Sequence, residues 1–116
     1  MRFFQKMSIV SALLSLLPIQ IQAKDLQSVR VLNSEFHLVS QLIEPSQIAQ
    51  FEKLWASREN VPDHIQPSWS YKLDLNPGGR WLYDPKGYIQ RLAMNKTKPF
   101  KLPSPHEFNT LLGIEE

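Results

Sequence analysis

Apolar and polar residues alternate most regularly between residues 69 and 75. The apolar positions of this stretch are Trp69, Tyr71, Leu73 and Leu75. A period of two is typical of a β-strand that buries one face. Proline and glycine then mark turns at residues 76–79 and 85–87, which leaves strands at residues 80–84 and 88–94. Three strands joined by tight turns predict an antiparallel meander.

An amphipathic helix is predicted from residue 45 onwards. Pro45 suits a first helical turn because its missing N–H is not needed there, and Ser46 is placed to cap the free amides. Four apolar residues then fall on one helical face: Ile48, Phe51, Leu54 and Trp55. The helix should end between residues 57 and 60. Residues 59–67, which contain two prolines, should form a loop.

A second, shorter helix is predicted at the carboxyl end. Ser104 is placed as its cap, Pro105 as its first residue and Glu107 as the side chain that reaches back to the cap. Gly113 should end this helix, because glycine adopts the left-handed conformation of a C-terminal cap at little cost.

Two stretches are less regular. Residues 24–43 have apolar positions at near-helical spacing, but they also alternate in part as strands do, and we favour a strand over residues 35–42. Residues 95–103 are extended, and Phe100 and Leu102 should add a short edge strand. Together the patterns predict an α+β fold: an antiparallel sheet of three to five strands packed by one helix, with a short C-terminal helix.

The amino end has the layout of a cleavable signal peptide. Arg2 and Lys6 are its only charges, an apolar run of 11 residues follows at 7–17, and Pro18 interrupts it before a processing site at Ala23. A membrane span needs about 20 apolar residues, so the run is too short for an anchor. We therefore expect residues 1–23 to be removed and residues 24–116 to form one domain, periplasmic or secreted, without membrane insertion.

Removal of the signal would also remove two positive charges. The whole chain has 13 Lys and Arg against 11 Asp and Glu, so residues 24–116 carry 11 of each. Proteins that bind nucleic acid need a surplus of cations, and this balance argues against such a partner. The chain has no cysteine, which excludes thiol catalysis, disulfides and cysteine-ligated zinc.

The aromatic residues of the meander are the main candidates for a binding site. Six residues form the predicted site: Arg80, Trp81, Tyr83, Tyr88, Trp69 and Tyr71. If their rings face away from the helix, they form an aromatic platform rimmed by cations, a composition favoured at protein interfaces. The alternative is that the rings form the core beneath the helix, in which case Leu82 points outward.

No motif for catalysis or for a cofactor stands out. His37, His64 and His106 lack the spacing of metal ligands, and the G-x-S-x-G motif of hydrolases is absent. The segment from Asp74 opens with the oxygen ligands of a calcium loop but has proline where the bidentate glutamate belongs. We therefore predict no metal, no cofactor and no enzymatic activity. A small hydrolase that uses Asp74 and Asp84 as an acid–base pair is a further alternative.

These observations lead to two hypotheses of function. The first is an exported binding module that acts by protein–protein contact in the cell envelope, as an inhibitor or immunity-type protein does. The second is a small-ligand or cell-wall glycan-binding domain that uses the same aromatic residues as a stacking platform.

Overall fold

The computed structural model describes residues 25–115, and the predicted signal peptide lies outside them. The strands are β1 (Ser28–Asn33), β2 (Leu38–Leu42), β3 (Glu59–Asn60), β4 (Tyr71–Asn76), β5 (Gly79–Asp84), β6 (Tyr88–Arg91) and β7 (Pro99–Lys101); the helices are α1 (Pro45–Ala56) and α2 (Pro105–Leu112). The strands of this part of the chain form one antiparallel sheet in the order β2-β1-β4-β5-β6-β7-β3. The α+β class with an antiparallel sheet is confirmed. The predicted strand count was too small, since seven strands pair in residues 25–115.

The meander predicted from the alternating pattern corresponds to β4, β5 and β6. Its first turn holds Pro77 and Gly78, and the Asn76–Pro77 peptide bond is cis. Its second turn ends at Gly87. The φ of this glycine is 103°, a value that residues with a side chain rarely adopt. A Cβ at Gly87 would also lie 3.0 Å from the carbonyl oxygen of Leu102. Glycine is therefore required there both by the backbone conformation and by the close approach of the chain.

Strand β6 ends earlier than the pattern predicts, at Arg91 instead of Met94. The chain turns back after Arg91. Thr97 stabilises this turn, because its hydroxyl donates to the Arg91 carbonyl at 2.6 Å. Gln90 donates in turn to the Thr97 carbonyl at 2.8 Å. These side-chain hydrogen bonds take the place of the backbone hydrogen bonds that a longer strand would make with its neighbour. Apolar residues of the segment, such as Met94, remain exposed.

The ambiguous amino-terminal stretch forms a hairpin of two strands, β1 and β2. The prediction of a strand over residues 35–42 therefore covers only β2 and the turn before it. The side chain of Asn33 organises that turn by accepting hydrogen bonds from the backbone amides of Glu35 and His37, each at 2.9 Å. Strand β1 then pairs with both β2 and β4, which ties the hairpin to the meander.

Two predictions about the opposite end of the sheet were wrong. The predicted loop over residues 59–67 begins with the short strand β3, which pairs with β7. Strand β7 is consequently an inner strand between β6 and β3, and not the edge strand that was predicted. A two-residue strand has too little sequence to produce a period of two, so pairing with β7 decides its conformation.

Both helices begin and end close to the predicted positions, but the first is capped differently. Glu44, and not Ser46, is the N-cap of α1, and its backbone amide donates to the side chain of Gln47 at 3.3 Å. Ser104 is the N-cap of α2 as predicted, although its side chain makes no capping hydrogen bond. Gly113 ends α2 with a left-handed φ of 72°.

The two helices pack on the same face of the sheet, which we call the helix-covered face. Its buried strand residues are Val29, Val31, Leu42, Leu73, Trp81, Tyr83 and Ile89; Phe51, Leu54, Phe108 and Leu112 meet them from the helices. Phe108 lies at the centre, with its ring centroid 5.3 Å from those of both Phe51 and Tyr83. In residues 25–115, no helix combines the length and apolar character needed to cross a membrane.

Candidate functional site

The predicted aromatic site is divided between the two faces of the sheet. Trp81 and Tyr83 lie on the helix-covered face, where they are 8% and 0% exposed. The Trp81 indole packs edge-on against Trp55 at 4.9 Å and donates to the Gly78 carbonyl at 3.0 Å. The Tyr83 hydroxyl donates to the side chain of Asn109 on α2. For Trp81 and Tyr83 the structure therefore agrees with the second alternative, in which the rings form the core beneath the helices.

The other predicted residues have different positions. Tyr71 is half-buried and packs against the core from its margin. Trp69 lies in the connection just before β4 and lines a cleft, and Tyr88 is half-buried on the opposite face from the helices. Arg80 is also on that opposite face, with 41% of its side chain exposed. The structure therefore brings together no platform of four stacked rings, and only Trp69, Tyr88 and Arg80 remain accessible away from the core.

The face without helices, called here the helix-free face, is defined by the strand register. One row across it consists of Arg30, Asp74 and Arg80, which are direct cross-strand neighbours. The next row consists of Leu32, Lys72, Leu82, Gln90 and Pro99. A third row consists of Asp84, Tyr88, Lys101 and Glu59. Leu82 points away from the helices, as the core alternative required.

Phe36 is an additional exposed aromatic residue that the sequence reasoning missed. It adopts a left-handed φ of 66°, which costs a non-glycine residue about 1–2 kcal/mol, and its side chain is 55% exposed. Lys72 Nζ lies 4.3 Å from the centroid of its ring, and Arg80 Cζ lies 5.3 Å from it. Phe36 thus forms a cation–π cluster with two cations of the helix-free face.

A bidentate ion pair fixes Arg80 within this cluster. Its Nε and Nη2 atoms donate to the two carboxylate oxygens of Asp74, at 2.5 and 2.7 Å. The hydrogen bond from Arg80 holds the pKa of Asp74 below its ordinary value, and the same bond raises the pKa of Arg80. Asp74 is therefore the partner of Arg80 and orients its guanidinium beside Phe36.

The connection from β3 to β4 crosses the helix-free face. It must run from the edge of the sheet to its middle, and Asp84 holds it in place by accepting a hydrogen bond from the Ser68 amide at 2.8 Å. The second carboxylate oxygen of Asp84 accepts from the Lys86 amide at 2.9 Å. Because Asp84 is only 4% exposed, its carboxylate is committed to these backbone amides.

A cleft lies between this crossing segment and the chain that follows β6. Its volume is about 670 Å³, and its lining includes Trp69, Gln90, Asp63, Lys96 and Lys98. Gln90 belongs to the helix-free face, so the cleft continues that surface beyond Tyr88, which is two residues away on the same strand. Near Tyr88, Lys101 Nζ lies 5.5 Å from the ring centroid and forms a second cation–aromatic pair.

The described residues hold no cluster of three or more side chains suited to a metal ion. His37 and His64 are exposed, and His37 lies 3.8 Å from the carboxylate of Glu35. The carboxylates that a hydrolase would use are engaged elsewhere, Asp74 by Arg80 and Asp84 by two backbone amides. The interactions seen for these two aspartates are therefore structural.

Comparison of the chain with protein-family models, with curated proteins and with solved structures finds no match.

Proposed function

We propose that this protein is an exported, non-catalytic binding module that contacts a protein partner in the cell envelope through the helix-free face of its sheet. The contact residues include Arg80, Tyr88 and Trp69 from the predicted site, joined by Phe36. Trp81, Tyr83 and Tyr71 support this surface from the opposite side of the sheet. An inhibitor or immunity-type role fits a domain of this size.

The observation that carries the proposal is the conformation of Phe36. A phenylalanine in the left-handed region costs stability. Burial of its side chain offsets little of that cost, because more than half of the residue is exposed. Strained and exposed residues concentrate at functional sites, where the strain places a side chain for an interaction. Phe36 holds its ring beside Lys72 and Arg80, and aromatic and arginine side chains are the residues that contribute most to protein interfaces.

Affinity capture of a partner with the tagged protein tests the proposal. We expect Arg80→Ala and Tyr88→Ala each to reduce capture at least tenfold, because each removes a side chain from the contact surface. Glu52→Ala is the matched control, since Glu52 is an exposed residue of α1 on the helix side. If capture is unchanged in both variants of the helix-free face and lost in Glu52→Ala, the proposed surface is wrong.

A second candidate function is supported by the cleft beside Trp69. An indole next to amide and ammonium groups suits a sugar, whose apolar face stacks on the ring while its hydroxyls form hydrogen bonds. Thermal unfolding in the presence of cell-wall glycan fragments distinguishes this alternative. A rise in the unfolding temperature that Trp69→Ala abolishes would favour glycan binding over protein contact.

A further inference from the structure

The charges of the chain are balanced in number but not in position. Six cations lie on the helix-free face or at the cleft that continues it: Arg30, Lys72, Arg80, Lys96, Lys98 and Lys101. The helix side carries exposed residues of both signs, among them Glu52 and Lys53 on α1, Glu107 on α2 and Arg91 on β6. Formal neutrality therefore conceals a concentration of cations on the helix-free face and at the cleft.

Most of the cations on this face are available to a partner. Apart from Arg80, none of the six forms an ion pair within residues 25–115. Four carboxylates share the region, but Asp84 is buried and bonded to backbone amides, and Asp74 is occupied by Arg80. Glu59 and Asp63 remain to offset five cations, so the accessible surface has an excess of positive charge.

Two of these cations are also held in place. Lys72 lies over the ring of Phe36, and Lys101 lies near the ring of Tyr88. A lysine side chain that is ordered before binding loses less conformational entropy when it pairs with a carboxylate. An ammonium group above an aromatic ring keeps its full charge, so the stacking orients the cation without neutralising it.

We propose that the partner presents an acidic protein surface, whose carboxylates pair with Lys72, Lys96, Lys98 and Lys101 while its apolar groups contact Phe36 and Trp69. This inference rests on the proposed function and names the chemistry of the partner. A protein surface fits better than a nucleic acid, because Glu59 and Asp63 lie among the cations and would repel a continuous phosphate backbone. Separate carboxylates on a folded partner can be arranged to avoid them.

The test measures binding of a fluorescein-labelled octaglutamate peptide to the protein purified from cells that express the full chain. We expect octaglutamate to bind at least tenfold more tightly than octalysine, and the affinity to fall as salt is raised from about 50 to about 300 mM, since salt screens exposed charges. Equal binding of both peptides would overturn the inference. So would equal binding of an oligonucleotide of the same charge, because the surface would then be a general polyanion site.

Charge reversal locates the interaction. Lys96→Glu/Lys98→Glu alters two exposed residues of the loop after β6, and we expect it to weaken octaglutamate binding at least tenfold. The matched control is Lys53→Glu/Arg91→Glu, which makes the same change in net charge at exposed positions on the helix side. Equal loss in both double variants would mean that net charge alone governs binding, and the inference would be wrong.

The same variants separate this inference from the proposed function. If a captured partner depends on Phe36 and Tyr88 but is indifferent to Lys96→Glu/Lys98→Glu and to salt, the contact surface stands and the acidic partner is refuted. If capture does not depend on the helix-free face at all, the proposed function fails, and the inference that rests on it fails with it.

Discussion

The two faces of the sheet use aromatic residues in opposite ways. On the helix-covered face, Phe51, Tyr83 and Phe108 are fully buried, and the ring of Phe108 packs against both of the others. On the helix-free face, Phe36 and Tyr88 contact lysine and arginine instead, and both remain accessible. The comparison shows that aromatic rings form the core on one face of the sheet and contact cations at the surface on the other.

Removal of a central ring is the largest effect we expect. Phe108→Ala should lower the free energy of unfolding by about 3–5 kcal/mol, because it removes a buried ring and leaves a cavity between the helices and the sheet. Phe36→Ala, the matched change on the helix-free face, should cost less than about 1 kcal/mol. Urea denaturation followed by tryptophan fluorescence measures both. Similar losses in the two variants would contradict the contrast between the faces.

Asp84 is the exception on the helix-free face, because it is buried there. Asp84→Ala should cost about 1–3 kcal/mol, since the amides of Ser68 and Lys86 lose their acceptor. The crossing segment should loosen as well. Hydrogen exchange should be faster at the Ser68 amide and unchanged at Val31, which is buried on the helix-covered face. Unaltered exchange at Ser68 would mean that Asp84 does not hold the segment.

The Asp74–Arg80 pair should contribute a small stability that depends on pH. The pKa of Asp74 is lower in the folded state than in the unfolded chain, where it is near 4. Its contribution is therefore fully present above about pH 4 and is lost as the pH falls below that value.

The comparison with Asp74→Asn measures this contribution. Wild type should be more stable than Asp74→Asn at pH 6.5, by no more than about 1 kcal/mol because the pair is partly exposed. The difference should shrink as the pH falls below about 4. Glu52→Gln, which alters an exposed carboxylate on the helix side, should show no such trend. A difference between wild type and Asp74→Asn that stays constant from pH 6.5 to pH 2.5 would have to come from packing.

The smallest effect on stability should come from Phe36→Gly. Glycine adopts a φ of 66° without strain, and this gain offsets the loss of the contacts with Lys72 and Arg80. We expect the free energy of unfolding to stay within about 1 kcal/mol of wild type while partner capture falls at least tenfold. A variant that unfolds more easily and still captures the partner would show that Phe36 has a structural role.

Local patterns were sufficient to predict the elements whose signals are local. Alternation and the Pro77–Gly78 turn predicted β4 and β5, and the apolar spacing after Pro45 predicted α1. Strand β1 was left undecided because residues 24–43 fit helical and strand spacing in part, and β3 was missed because pairing with a distant strand determines it. No local rule indicates that Glu59 will pair with Lys101.

The site was predicted less completely than the fold, for two physical reasons. Alternation places Trp81 and Tyr83 on one face but does not say which face the helices cover, and here they cover that one. Phe36 was missed because a left-handed conformation is expected for glycine or asparagine and not for phenylalanine. Of the predicted residues, Arg80 and Tyr88 follow turns and Trp69 lies in the connection before β4, and these three are accessible away from the core.

Site-specific photo-cross-linking in the host cell tests the central claim most directly. A benzophenone amino acid would replace Phe36, Trp69 or Tyr88 on the helix-free face, and Glu52 or Thr110 on the exposed sides of the two helices. The account predicts cross-links to one envelope protein from the first three positions and none from the last two. Cross-links confined to Glu52 and Thr110 would contradict it, because the helices would then be the side that meets the partner.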